Sequence, residues 1–94
     1  MGEKGGALIT GAARRIGRCL AKSLAAAGWE VVVHHNRSAA DAEETVRTIT
    51  EAGGRAVALG ADLSDPAACR RLVEEAGALT GGLGCLINNA SVFV

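Results

Sequence analysis

Ninety-four residues are enough for one small domain and leave no room for a second. An apolar fraction of 49% with 21% charged residues belongs to a globular chain and excludes disordered, collagen-like and low-complexity architectures. Ten Lys and Arg balance ten Asp and Glu, so no bulk basic field draws the chain to a nucleic-acid backbone or an anionic membrane, and any anion must be held by a local site.

The chain opens on Met1–Gly6, which has neither an apolar leader core nor a myristoylation pattern, and its longest apolar runs fall far short of the roughly 18 residues of a membrane span. A cytoplasmic protein is expected. Ala7-Leu8-Ile9-Thr10 then reads as a short strand ended by Gly11. Ile16, Leu20 and Leu24 recur at helical spacing until Gly28 stops the pattern. Trp29 packs at the bottom of the second strand, whose run Val31-Val32-Val33 is β-branched and continuous, as in a parallel strand buried on both faces. His34 and His35 follow it and point to opposite faces, so they cannot share a metal; one of them is expected to border a nucleotide pocket.

Ser38 is placed to cap the next helix with its hydroxyl, Asp41 taking the capping-box position and Ala42, Val46 and Ile49 the buried stripe, until Gly53-Gly54 closes it. Ala56-Val57-Ala58-Leu59 forms a third strand. Asp65 caps a third helix with Pro66 in the first-turn slot that proline prefers, and its expected stripe is Cys69, Leu72, Ala76 and Leu79. Arg70-Arg71 and Glu74-Glu75 on that helix pair at i, i+4 on a solvated face. Gly81-Gly82 breaks the helix, and Cys85-Leu86-Ile87 is a fourth strand ending in Asn88-Asn89. Cys19, Cys69 and Cys85 are odd in number and irregularly spaced, which suits reduced, packed thiols.

Strand–helix alternation with short turns requires right-handed crossovers and a parallel sheet. The expected fold is α/β, a Rossmann-like doubly wound sheet in its N-terminal half, β-α-β-α-β-α-β with strand order 3-2-1-4. Two helices cover one face and the third helix covers the other. Residues 1–94 form one nucleotide-binding domain that looks cut short at its fourth strand.

The turn Thr10-Gly11-Ala12-Ala13-Arg14-Arg15-Ile16-Gly17 sits between a strand and an amphipathic helix, where unpaired N–H groups and the helix dipole suit a pyrophosphate. Gly11 allows the tight turn and Gly17 close packing of helix on strand. At the end of the second strand an acid would accept from the ribose 2′-hydroxyl of NAD. The chain instead reads Asn36-Arg37-Ser38, whose guanidinium, hydroxyl and helix N–H groups suit a 2′-phosphate, with Arg15 as a second cation. NADP(H) is the cofactor these residues favour.

The same turn resembles the T-G-x-x-x-G-x-G fingerprint of the short-chain dehydrogenase/reductases, with Arg15 in place of the middle glycine. Asp62-Leu63 resembles the family's acidic-apolar pair at adenine, and Asn88-Asn89-Ala90-Ser91 its N-N-A-G, with Ser91 replacing glycine. The resemblance implies cofactor contacts at Gly11, Arg14, Arg15, Ile16, Gly17, Asn36, Arg37, Ser38, Asp62, Leu63, Asn89 and Ala90. T-G-A-A-R-R-I-G, H-H-N-R-S-A and N-N-A-S-V-F together are most similar to the pteridine reductases, which implies that Phe93 stacks on a pterin ring while Ser91 and Arg15 approach the same pocket.

The family's catalytic Tyr and the Lys four residues after it have no counterpart here, since the chain contains no Tyr and its lysines are Lys4 and Lys22. No catalytic residue is therefore assigned. The parent reaction implied is NADPH-dependent reduction of a small molecule, a dihydropterin, dihydrofolate-like or carbonyl compound, by a homo-oligomer, dimer or tetramer. A non-catalytic NADP-binding module that pairs through its open sheet edge, and a keto-group reductase, remain alternatives. A methyltransferase-type relative is disfavoured by Arg37, where such folds place an acid.

Overall fold

The computed structural model describes residues 4–11 and 15–88, the side chain of Arg15 excepted. Seven elements alternate: β1 (Gly6–Thr10), α1 (Arg15–Ala26), β2 (Glu30–His35), α2 (Ala39–Glu51), β3 (Arg55–Gly60), α3 (Pro66–Thr80) and β4 (Leu83–Asn88). The strands form one parallel sheet in the order β3-β2-β1-β4, as the alternation requires. Each strand that precedes a helix therefore ends at the same edge of the sheet, and β4 ends there too.

Strand β1 is buried along its whole length, and Val31, Val32 and Val33 of β2 are fully buried. Alternation divides their side chains between two cores. Ile9, Val31 and Val33 meet Ala21, Ala42 and Ile49 beneath α1 and α2, with Leu20, Leu24, Trp29 and Val46 at the margin. Leu8 and Val32 meet Leu72 and Ala76 of α3 on the other face, with Val57, Leu59 and Leu63 beside them. Trp29 also lies against Gly84 at the start of β4, at the strand N-termini. Strands β3 and β4 are the sheet margins, and Leu86 of β4 is 59% exposed although it is paired with the fully buried Leu8. Among the described residues no helix is long and apolar enough to cross a membrane.

Three local expectations are corrected. Ile16 does not join the stripe of α1; it is 70% exposed, because the first turn of a helix running antiparallel to the strands overhangs their C-terminal ends instead of covering the sheet. On α3 the buried positions are Ala68, Leu72, Ala76 and Thr80, a strict four-residue repeat, while Cys69 is only partly buried and Leu79 is 54% exposed. Thr80 can take a core position because its hydroxyl donates to the Ala76 carbonyl at 2.8 Å, which leaves no polar group unpaired. On α2, Thr45 is buried with Ala42 and Ile49 in the same way, its hydroxyl donating to the Asp41 carbonyl at 3.0 Å.

The helix caps differ in kind. Asp65 is extended (φ −100°, ψ 112°), and its carboxylate accepts from the Ala67 N–H at 3.0 Å, with Pro66 following as expected. Ser38 stands at the N-cap of α2, its carbonyl accepting from Ala42 N–H at 2.9 Å, but its hydroxyl makes no cap bond. At ψ 54° the Ser38 backbone is not in the extended conformation that aims a cap side chain at the first-turn N–H groups. Replacing Asp65 by Ala should therefore cost about 1 kcal/mol in a denaturant titration, and replacing Ser38 by Ala no more than about 0.3 kcal/mol.

Gly6 begins β1 where the end of α3 crosses it, and its N–H donates to the Gly82 carbonyl at 3.0 Å. A Cβ here would overlap the Thr80 side chain. Gly6→Ala should destabilise the fold by about 1–3 kcal/mol, an overpacking cost. In a double-mutant cycle, adding Thr80→Gly should recover part of that loss, so that the pair costs less than the sum of the single changes.

Candidate functional site

The parallel sheet brings the ends of four strands to one rim. Past β1, Gly11 turns the chain with φ 66°, in the left-handed region that glycine enters without strain. The Thr10 hydroxyl, almost buried, donates to Oδ1 of Asn88 at 3.0 Å and ties the end of β1 to the end of β4. Ile16, exposed, and Gly17, buried, form the first turn of α1 over this rim. Past β2, Asn36 and Arg37 are exposed and Ser38 opens α2. Past β3 come Asp62, exposed, and Leu63, whose side chain packs on the α3 core.

The sheet thus gathers Gly11, Ile16, Gly17, Asn36, Arg37, Ser38, Asp62 and Leu63 along a single edge. Arg14, Asn89, Ala90, Ser91, Phe93 and the side chain of Arg15 lie outside the described residues.

Two charged groups shape the rim. Asp62 is fixed by its own turn: Oδ1 accepts from the Ser64 hydroxyl at 2.7 Å and the Ser64 N–H at 3.0 Å. Those hydrogen bonds, followed by the positive charge of Arg37, hold its carboxyl below the ordinary range. Arg37 is close enough for that influence and is itself exposed.

The residue that sequence reasoning undervalued is His34. It is 1% exposed, and both ring nitrogens are engaged: Nδ1 accepts from the Gly11 N–H at 3.0 Å, and Nε2 lies 2.9 Å from the Ala61 carbonyl. One imidazole therefore joins the turn after β1 to the turn after β3. The signal was available, since alternation from Val32 puts His34 on the α3 face, and a buried polar ring must find partners.

Burial, the largest effect, lowers the pKa of His34, with a further push from the neighbouring His35, against a smaller upward pull from the Ala61 hydrogen bond. The stabilisation of a neutral imidazole is complete above the ordinary histidine range and is lost as pH falls through the lower folded value. His35 points the other way, its ring over Gly60, where a Cβ would come within 2.9 Å of it. Its buried Nδ1 has no partner among the described residues.

The opposite end of the molecule carries a cavity of about 360 Å³ between the C-terminal halves of α1 and α2, lined by Lys22, Ala25, Thr48, Ile49 and Gly53. Among the described residues no group of three or more His, Cys, Asp or Glu could hold a metal ion. The donor set at the rim fits a dinucleotide phosphate: a left-handed glycine at the end of β1 ahead of α1, an exposed Arg37, and no carboxylate at the end of β2.

Comparison with known proteins agrees with this geometry. The family model for short chain dehydrogenase matches residues 6–94. An uncharacterized oxidoreductase from Methylorubrum extorquens is 45% identical over 87 residues, which cover 93% of this chain and 35% of that protein. The short-chain dehydrogenase/reductase homolog YusS from Bacillus subtilis is 38% identical over 86 residues, covering 92% of this chain and 79% of that one. Among solved structures, the FolM alternative dihydrofolate reductase 1 from Brucella suis in complex with NADP superposes with a TM-score of 0.89 at 38% identity, covering 100% of this chain and 37% of that one. The chain spans about a third of the length of the first and third of these and most of the second. With a family model matched along nearly its whole length and the family's sheet order in its fold, the chain belongs to the short chain dehydrogenase family.

Proposed function

We propose that this chain forms the NADP(H)-binding part of a reductase. The observation that carries the reading is Arg37, exposed at the end of β2 beside the Asp62 turn, on a strand end that offers no carboxylate to a ribose 2′-hydroxyl. The N–H groups that open α1 receive the pyrophosphate, Gly11 and Gly17 let the backbone approach it, and Arg37 with Ser38 and Asn36 takes the 2′-phosphate. Asp62 and Leu63 border the adenine, and Asn89 and Ala90 are assigned cofactor contacts by the N-N-A motif they belong to.

The nicotinamide cofactor supplies the hydride when bound. The part of this chain is to hold and orient it, and no proton donor is assigned because the chain has no Tyr. For the substrate, a reduced pterin or dihydrofolate-like ring is the reading that Arg15, Ser91 and Phe93 support, with Phe93 stacking on the ring. That the FolM structure is named an alternative dihydrofolate reductase supports the same substrate class. A stand-alone NADP-binding module is the second reading, favoured by the match to most of the length of YusS.

The cofactor preference is tested by titrating NADPH and NADH into the wild-type chain and Arg37→Ala. A charge-assisted hydrogen bond is worth about 1.5–3 kcal/mol, so the substitution should weaken NADPH by roughly ten- to a hundredfold and leave NADH little changed. Equal losses for both cofactors would contradict the assignment.

A further inference from the structure

The imidazole of His34 is the only described side chain that bonds to both the turn after β1 and the turn after β3. Its chemistry permits one arrangement. The Gly11 N–H is a donor, so Nδ1 must be unprotonated; the Ala61 carbonyl is an acceptor, so Nε2 must carry the hydrogen. A second proton could bind only at Nδ1, where it would face the Gly11 N–H at 3.0 Å, donor against donor, inside a site 1% exposed. The ring would keep its bond to Ala61 and lose the one to Gly11. Asp62 follows Ala61 directly, so the two turns joined by His34 are those that present the glycine N–H groups and the acidic-apolar pair.

We propose that His34 is a positioning residue for the nucleotide site: neutral, it fixes the Gly11 turn against the Ala61–Asp62 turn, and a second proton releases Gly11 and weakens cofactor binding. The proposal rests on the cofactor reading above and adds a residue that touches no part of the cofactor. The titratable and charged described groups at this end of the sheet include His35 beside it on β2, Arg37 past β2, Asp41 in the first turn of α2, Asp62 past β3, and Asp65, Cys69 and Arg70 at the start of α3. Of these, His35 is the one whose charge bears on His34, and it opposes the second proton.

The test is a titration of NADP+ into wild type, His34→Asn and His34→Leu from about pH 8 to about pH 5, with ¹⁵N NMR following the His34 ring and the Gly11 amide in the wild type. Asn keeps an acceptor for Gly11 and does not titrate; Leu fills the space and bonds to neither turn. His34→Leu should bind about tenfold more weakly than wild type at neutral pH, and His34→Asn should fall between them. In acid the wild type should lose affinity more steeply than His34→Asn, the protonation of the cofactor's own 2′-phosphate being common to both. The excess loss should track protonation of His34 Nδ1 and the shift of the Gly11 amide.

Wild-type affinity in folded His34→Leu, or parallel acid profiles for wild type and His34→Asn, would overturn the proposal and leave the cofactor reading intact. A wild type that binds no NADP+ at neutral pH would overturn both. If His34→Leu does not fold, the Asn profile and the wild-type resonances decide the matter.

Discussion

A parallel strand buried on both faces can meet a ligand only at its end. Strand β1 is such a strand, with all five residues buried and β2 and β4 on either side. Its side chains are committed to two cores, Ile9 to one and Leu8 to the other. What remains is the turn at Gly11, whose backbone is left-handed, at the end of β1. Strand order 3-2-1-4 places this turn where the direction of winding reverses, with α1 and α3 on opposite faces, which is where open α/β sheets bind their ligands. The proposed cofactor site lies at this place for that reason.

The rim is held by short polar links. Thr10 to Asn88 joins β1 to β4, His34 joins the β1 and β3 turns, and Asp62 is closed on Ser64. At Thr10 and His34 the links satisfy polar groups that would otherwise be costly to bury, while Arg37 and Asp62 beside them are exposed. An array fixed in this way pays little ordering entropy when an anion arrives. The proton sensitivity proposed for His34 follows from the same arrangement, since a single ring nitrogen accepts from the Gly11 turn.

The β-α alternation, the sheet order and the caps at Asp65 and Pro66 were legible in the sequence because each is a local pattern with a single physical reading. The stripe of α3 was not. Cys69 and Leu79 are apolar and correctly spaced for a helix, but the packing surface is set by small residues and by Thr80, whose hydroxyl is satisfied within its own helix. Ile16 was misplaced because periodicity does not reveal where a helix overhangs its sheet. The gathering of Gly11, Arg37 and Asp62 at one end of the sheet was legible, because each follows a strand of a parallel β-α alternation. The links at Thr10 and His34 were not, because each depends on a partner 78 or 23 residues away along the chain, a separation that only the fold brings together.

The central claim is that the C-terminal rim of the sheet binds a dinucleotide and reads its 2′-phosphate. The most direct measurement is an amide chemical-shift map of the ¹⁵N-labelled chain titrated in parallel with NADP+ and NAD+. The account predicts perturbations centred on Gly11, Gly17, Arg37 and Asp62, with NADP+ saturating at much lower concentration than NAD+. Equal affinities, or perturbations centred on Lys22, Thr48 and Gly53 at the α1–α2 cavity, would contradict it.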